Sequence, residues 1–392
     1  MRRLLLVLLF SCVAEQAGAE ADGSVRASFG GEYDSNARRE PRLADEGPYV
    51  DDGLLRFTGE ARGRVRQGPW SGRGSLLLGA KRFVGETSED LLAYRLSLGG
   101  RRQFGPWYVD LEGGHRLSRV RRGVRDYAWS TTDLSFGRRF GDRLQLGLRG
   151  SLWRYAFDAV PSLSYVSPRV ELEALVRLGK GYTLSNTLGA NLESFDDFGR
   201  EHTEWQVQTQ VQYGGPWLWG LTYFGRFQDS NVRLRLEDDV LRVGPGSEIG
   251  EASGDVKPED VARHTVTAFV SFGLPWRLFV TASASLLFNR NDSIDQINAL
   301  IDELENTPGD EDVQDRLRAS IDGLASFADP ANFDENQNQL QVQIRRAFSD
   351  SLSVEVRYAI FSDLFGSAED IEFLRQTVFI GVTGYLEGGS GD

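Results

Sequence analysis

The sequence predicts an all-β fold, a 16-stranded antiparallel transmembrane β-barrel with short turns at one end and long loops at the other. Between residues 24 and 386, apolar and polar residues alternate with a period of two, as expected for strands with one face in lipid. The connections between these runs are alternately tight and long, which is typical of an outer-membrane barrel. The sixteen predicted strands are 24-33, 53-67, 72-84, 91-103, 107-119, 127-140, 143-155, 165-178, 182-195, 203-214, 217-230, 263-274, 276-290, 337-348, 352-363 and 372-386.

Every tight turn follows an even-numbered strand. The turns contain residues that favour chain reversal, mainly Gly, Pro, Asp and Ser. They lie at 68-70, 105-107, 141-142, 179-181, 215-217, 274-276 and 349-351. If the first strand starts in the periplasm, all of these turns are periplasmic. We therefore predict one barrel domain over residues 20-392, with long extracellular loops at 34-52, 231-262 and 291-336.

The first residues predict an exported protein. Arg2 and Arg3 precede an apolar run and a small-residue cleavage pattern that ends at Ala19, so residues 1-19 are expected to be a signal peptide. Cys12 is the only cysteine, which excludes a disulfide or a cysteine ligand from the mature chain. The alternative is lipidation of Cys12, because the residues before it loosely match a lipoprotein cleavage box.

The composition alone is typical of a soluble protein, with 40% hydrophobic residues and a mean hydropathy of -0.35. A barrel also gives such values, because only every second strand residue meets lipid. A soluble β-helix or propeller is the alternative, but the predicted strands are long for those folds. No later stretch of about 20 apolar residues follows the leader, which excludes a helical inner-membrane protein.

The alternation assigns one face of each strand to a polar lumen. In strand 203-214, Trp205 and Val207 fall on the face opposite the glutamines. An apolar protein core would not accept these amides unpaired. The residues predicted to line the lumen are Arg56, Arg62, Arg64, Arg95, Arg101, Arg149, Arg169, Arg177, Glu60, Glu171, Glu173, Gln206, Gln208, Gln210, Gln341 and Gln343.

Two roles for the lumen charges stay open at this point. Basic rows along a pore wall can select anions or guide a polyanion, whereas ion pairs between strands can simply stiffen the wall. Nucleic-acid binding is not expected, because the basic residues are spread over many strands instead of forming an external patch.

The Gly-Pro-Trp and Pro-Trp turns predict an aromatic girdle at the periplasmic rim. Amphipathic rings collect at the headgroup level of a bilayer. The predicted girdle residues are Trp70, Trp107, Trp217 and Trp276.

The acidic residues concentrate in two long loops. Segment 231-262 holds eight acidic and four basic residues, and segment 291-336 holds thirteen acidic residues with only Arg316 and Arg318 as bases, although the whole chain carries -13. Apolar residues at helical spacing predict a hairpin of two amphipathic helices within 291-336. Such a hairpin would plug the lumen, cover the mouth or dock on a partner.

No motif predicts an enzyme, a cofactor or a metal site. The three histidines fall in separate hairpins, and no nucleophile motif, Walker loop or calcium-loop spacing occurs. We therefore expect no catalytic, cofactor-binding or metal-binding residues.

The chain resembles Gram-negative outer-membrane β-barrels over its whole mature length. The first strand ends in Tyr33-Asp34-Ser35-Asn36, a pattern echoed by Gln228-Asp229-Ser230-Asn231. This ending is similar to the barrels of exopolysaccharide exporters and surface-lipoprotein assembly modifiers. Those relatives carry a periplasmic helical-repeat domain, for which residues 20-23 leave no room, so the resemblance implies that another protein supplies periplasmic coupling.

Three functions follow as hypotheses. The first is a channel that exports a hydrophilic polymer, with a surface polysaccharide as the favoured cargo. The second is a passive porin for small solutes, and the third is a structural or docking barrel of an envelope complex. Expected partners are outer-membrane lipid, a hydrophilic polymer or small solute, and periplasmic export or envelope proteins, with no nucleic acid.

Overall fold

The computed structural model describes most of the chain between residues 20 and 389. The described residues are 20-38, 42-43, 48-121, 126-158, 161, 164-196, 199-215, 217-237, 240-245, 261-290, 338-362, 371-372 and 374-389.

Sixteen antiparallel strands form one closed barrel, and each strand pairs with its neighbours in chain order. The first strand pairs with the last, from Asp22 opposite Gly389 to Asp34 opposite Thr377, so the sheet has no free edge. The prediction of the fold class is therefore confirmed. The strands are β1 Glu20–Asp34, β2 Asp52–Gln67, β3 Trp70–Phe83, β4 Leu91–Phe104, β5 Trp107–Val120, β6 Tyr127–Phe140, β7 Leu144–Phe157, β8 Tyr165–Gly179, β9 Tyr182–Phe195, β10 Glu201–Gly214, β11 Trp217–Ser230, β12 Val261–Leu274, β13 Leu278–Arg290, β14 Asn338–Ala347, β15 Leu352–Ser362 and β16 Leu374–Gly389.

The barrel buries polar side chains and exposes apolar ones, which is the reverse of a soluble protein. Its most deeply buried large side chains are polar, and they include Glu204, Glu355 and Asp34. Large aliphatic side chains such as Leu134 and Leu172 are more than half exposed and lie on the opposite face of their strands. A soluble fold would bury the aliphatic set, so this distribution excludes the soluble alternative and requires a lipid environment.

The tight turns occur where the sequence predicts them, after every even-numbered strand. Gly68 and Gly105 adopt left-handed φ values of 56° and 58°, which glycine accepts without steric cost. In the turn before β13, Trp276 and Arg277 take positive φ values, so this strand begins at Leu278 instead of the predicted residue 276. We call this end of the barrel the short-turn end and the other the long-loop end.

The long-loop end contains two short ribbons that were not predicted from the sequence. Val232–Glu237 and Val240–Pro245 pair as a two-stranded ribbon inside the predicted acidic loop 231-262. A second short ribbon joins Arg42–Leu43 to Ile371–Glu372, on either side of the closure between β1 and β16. The predicted helical hairpin at 291-336 and the predicted signal peptide lie outside the described residues.

Candidate functional site: the polar wall of the barrel

The strand register assigns every inward-facing side chain. Cross-strand partners share a face, so the alternating pattern can be followed around the closed sheet from any one strand. Most exposed leucines lie on one face, whereas the buried acids and their arginines lie on the other. The exceptions are Leu77 and Leu218, which share the charged face. In a barrel surrounded by lipid the apolar face points outward, so the charged face is the inner wall.

One deeply buried ionic cluster lies near the long-loop end of β8 to β11. Glu204 is fully buried and pairs with Arg226, and its second arginine, Arg169, lies 3.9 Å away. Glu193 lies 3.4 Å from His202 Nδ1 and 3.5 Å from Arg226. Each acid therefore meets a cationic side chain from another strand, which offsets the cost of removing the charges from water.

Arg169 belongs to the predicted lumen set and joins this cluster to the glutamines of β10. Its guanidinium donates to Gln206 Oε1 at 3.2 Å and lies 3.8 Å from the ring centre of Trp153. Gln206 in turn donates to Asn191 and Glu204. The amide predicted to face water thus also binds an ion pair.

A second cluster lies on β1, β2 and β3. The Glu32 carboxylate accepts one bond from Arg56 and one from Lys81, both at 2.7 Å. Arg56 was predicted for the lumen, and its inward direction here follows from its pairing opposite Gly30 and Lys81. Because Glu32 is buried, both cations are held against the wall.

A third cluster lies towards the short-turn end of β3 to β5. Asp110 accepts bonds from Arg101 at 2.9 Å and from Arg73 at 3.1 Å, and Arg73 also pairs with Glu112. The ring of Tyr108 lies under Arg101, 4.5 Å from the guanidinium carbon. Gly137 makes room for that ring, since a Cβ atom there would lie 2.4 Å from it.

The remaining predicted arginines differ in their contacts. Arg149 binds Glu171 at 3.2 Å and also pairs with Glu173, so three predicted residues form one unit. Arg62 pairs with Glu60 at 2.5 Å. Arg177 donates a hydrogen bond to the backbone oxygen of Asp142 at 3.4 Å, and no acid among the described residues lies at ion-pair distance from it.

Two more predicted arginines, Arg64 and Arg95, are exposed on the inner face. Within the described part of the chain, neither has an acid at ion-pair distance. Arg95 instead lies over the ring of Trp129, 5.4 Å from its centre.

The wall from β9 to β14 carries mainly uncharged polar groups in its short-turn half. Thr267 bonds Ser285 at 3.0 Å and Ser271 bonds Thr281 at 2.9 Å across neighbouring strands. The predicted residues Gln208, Gln210, Gln341 and Gln343 belong to this sector by register. The inner wall thus has an ionic side and an amide and hydroxyl side. That the predicted residues line a passage stays a prediction.

The sequence reading missed an aromatic row on the inner wall. Trp129, Tyr155, Tyr165 and Phe195 are successive cross-strand neighbours on β6, β7, β8 and β9. Their ring centres are 5.8, 4.8 and 5.1 Å apart in that order. The inward parity of β6 and β7 was the available signal, since it places these rings on the same face as Asp133 and Arg149.

The four predicted girdle tryptophans lie at the short-turn end. Trp70, Trp107 and Trp217 are the first residues of β3, β5 and β11, on the outer face, and Trp276 is in a turn. Arg102 and Arg138 lie over the rings of Trp70 and Trp107, at 4.8 and 4.9 Å. Their position in a lipid interface stays a prediction.

The histidines form no common site. His115 and His264 lie on the outer face, where they bond Ser130 and Tyr223, and His202 lies inside. Among the described residues, no group of three His, Cys, Asp or Glu side chains is placed to hold a metal ion. None of the helices described is both long and apolar enough to cross a membrane. The absence of enzyme activity and of cofactors stays a prediction.

Comparison with solved structures shows the fold. The OmpF porin of Salmonella typhi, solved in complex with daunomycin, has a TM-score of 0.51 at 10% identity, covering 95% of this chain and 99% of that one. An anion-selective porin from Comamonas acidovorans scores 0.48 at 9% identity, covering 94% and 100%. A bacterial polysaccharide outer-membrane secretin scores 0.43 at 12% identity, covering 93% and 98%. No protein-family model and no curated protein sequence matches this chain.

The closed 16-stranded barrel, its lipid-facing outer surface and its polar inner wall define the class of protein. The chain is a porin-like β-barrel of the Gram-negative outer membrane.

Proposed function

We propose that the protein is an outer-membrane channel for hydrophilic cargo and that it exports a surface polysaccharide. The observation that carries the proposal is the inner wall, which presents hydrogen-bonding or charged side chains on every strand. A barrel of sixteen strands is wide enough to enclose water, because eight strands already leave only room for side chains.

The arrangement of charges supports passage instead of simple stiffening. Glu204 and Glu32 hold their arginines by ion pairs and stabilise the wall. Arg64 and Arg95 are exposed on the inner face, and among the described residues neither is within ion-pair distance of an acid, although Asp22 is the cross-strand partner of Arg64. Charges of this kind remain available to cargo.

The uncharged sector favours a sugar polymer over simple ions. Glutamine amides and serine and threonine hydroxyls can both donate and accept hydrogen bonds, which matches the hydroxyl groups of a carbohydrate. These groups also bind water, so a chain that slides past them exchanges one set of bonds for another. An export partner in the periplasm would deliver the polymer to the short-turn end.

The proposal can be tested by secretion. A strain that lacks the protein should release less polysaccharide, and the wild-type gene should restore it. The double variant Arg64→Glu and Arg95→Glu, which breaks no ion pair among the described residues, should restore it poorly while still giving a folded barrel. Leu188→Ile, a conservative change on the outer face, is the control. Unchanged secretion by the double variant would contradict guidance by the wall.

A passive porin is the other reading of the same wall. Vesicles that contain only this protein should then take up small sugars steadily. Under the export proposal, the barrel conducts small ions by itself, but its uptake of sugars stays slow until the partner is present.

A further inference from the structure

We infer that the inner wall carries a binding track for an acidic sugar chain, in which arginines lead into the aromatic row. This inference rests on the proposed passage of a polysaccharide and names the class of sugar. Trp129, Tyr155, Tyr165 and Phe195 form the aromatic part of the track. Arg95 and Arg116 form the basic part.

The six residues lie in one unbroken line of cross-strand partners. Arg95 pairs with Arg116, Arg116 with Trp129, and Trp129 with Tyr155. Such a line runs perpendicular to the strands. Because the strands of a membrane barrel tilt by about 35–45°, the line climbs the wall obliquely.

The line climbs towards the long-loop end. Trp129 is the third residue of β6, whereas Tyr165 is the first residue of β8 and Phe195 is the last residue of β9, all at strand ends on that side. The arginines therefore lie deeper in the barrel, and the aromatic rings lead to its rim. A polymer that leaves by this end would pass the two parts in that order.

The chemistry of the rings fits sugars. A pyranose ring presents C–H bonds on one face, which pack on an aromatic ring, while its hydroxyls point sideways to polar groups. The four rings are half-buried on the inner face and not sealed in an apolar core. Spacings of 4.8 to 5.8 Å between ring centres make the row continuous, so a sugar unit can shift from one ring to the next.

The charge of the track fits an acidic sugar. Arg95 and Arg116 are exposed, and each lies over an aromatic ring, at 5.4 Å from Trp129 and 5.3 Å from Tyr127. No acid among the described residues comes within ion-pair distance of either guanidinium. Two acids near the aromatic row, Glu193 and Glu204, are already paired with Arg226. A carboxylated sugar can therefore bind the free arginines through bidentate contacts.

The test uses the full-length barrel refolded in detergent and three probes. Oligomers of galacturonic acid carry rings and carboxylates, dextran oligomers carry rings alone, and short polyacrylate carries carboxylates alone. Calorimetric titration should show that the galacturonate oligomers bind most tightly. Equal binding of dextran would overturn the role of the charge, and equal binding of polyacrylate would overturn the role of the rings.

Two sets of variants locate the binding. Trp129→Leu and Tyr155→Leu should each weaken galacturonate binding about three- to tenfold, since an aromatic contact is lost. Arg95→Gln with Arg116→Gln should weaken it about tenfold and remove the preference over dextran. The matched controls are Trp107→Leu and Arg138→Gln, which change the same kind of arginine–tryptophan stack on the outer face and should leave binding unchanged.

The outcomes separate the track from the channel. A barrel that passes ions but binds no galacturonate would overturn the proposed track and still support the proposed channel. Binding by a barrel that never conducts would support the track and contradict the channel. Loss of binding in the outer-face controls would overturn the assignment of the site to the inner wall.

Discussion

Arg375 forms a bidentate ion pair with Asp34 across the junction of β1 and β16 that closes the barrel. The guanidinium donates from Nε to Oδ1 at 2.9 Å and from Nη2 to Oδ2 at 2.6 Å, and both side chains are buried. Beside it, Ser35 Oγ accepts a hydrogen bond from the backbone N–H of Gln376 at 2.8 Å. The Tyr-Asp-Ser-Asn ending of the first strand thus attaches it to the last strand.

We predict that Asp34→Asn destabilises the barrel by about 3 kcal/mol, because it leaves a buried arginine without its counter-charge. Urea unfolding in lipid vesicles, followed by tryptophan fluorescence, measures the change. Arg277→Gln is the control, since Arg277 and Asp350 form an exposed pair at 3.0 Å that should contribute little. Equal effects of the two variants would show that the pair of Asp34 and Arg375 has no special role.

The same reasoning applies to Glu204, which lies between Arg169 and Arg226. Glu204→Gln should cost roughly 3 kcal/mol of stability and leave a net positive charge on the wall. The free energy of unfolding and the reversal potential in a salt gradient measure the two effects. Gln210→Asn, a change in the uncharged sector, should alter neither, and a stable Glu204→Gln barrel would refute the structural role of this acid.

The two faces of a strand should respond in opposite ways to a new charge. Leu188 is 53% exposed on the outer face in the middle of β9, and its neighbour Thr187 faces inward. Leu188→Arg should cost about 2–4 kcal/mol in a bilayer, because the charge enters hydrocarbon. Thr187→Arg should cost much less. Similar unfolding energies for the two would contradict the assignment of faces.

The tryptophans at the short-turn end should lie in the lipid interface. In proteins with one tryptophan left, lipids brominated near the headgroup should quench Trp217 more strongly than lipids brominated deep in the chain. Trp153, which faces inward, should be quenched weakly by both. Strong quenching of Trp217 only by deep bromines would refute the girdle.

The strand order, the turn positions and the polar face could be predicted from the sequence, because each depends on local alternation and on turn residues. The ion-pair partners could not, since Arg73 meets Asp110 two strands away and only the register brings them together. The ribbon of Val232–Glu237 and Val240–Pro245 was missed because the many acids in the sequence of segment 231-262 suggest a loop. The aromatic row was missed because Trp and Tyr in a membrane strand are usually read as lipid-facing.

The central claim is that the polar wall encloses a passage for hydrophilic cargo. Single-channel recording of the refolded protein in a planar bilayer tests it most directly. We predict discrete current steps with a preference for anions, and a weaker preference for Arg95→Gln with Arg116→Gln. If protein shown to be inserted in the bilayer carries no current at any voltage, the claim is contradicted.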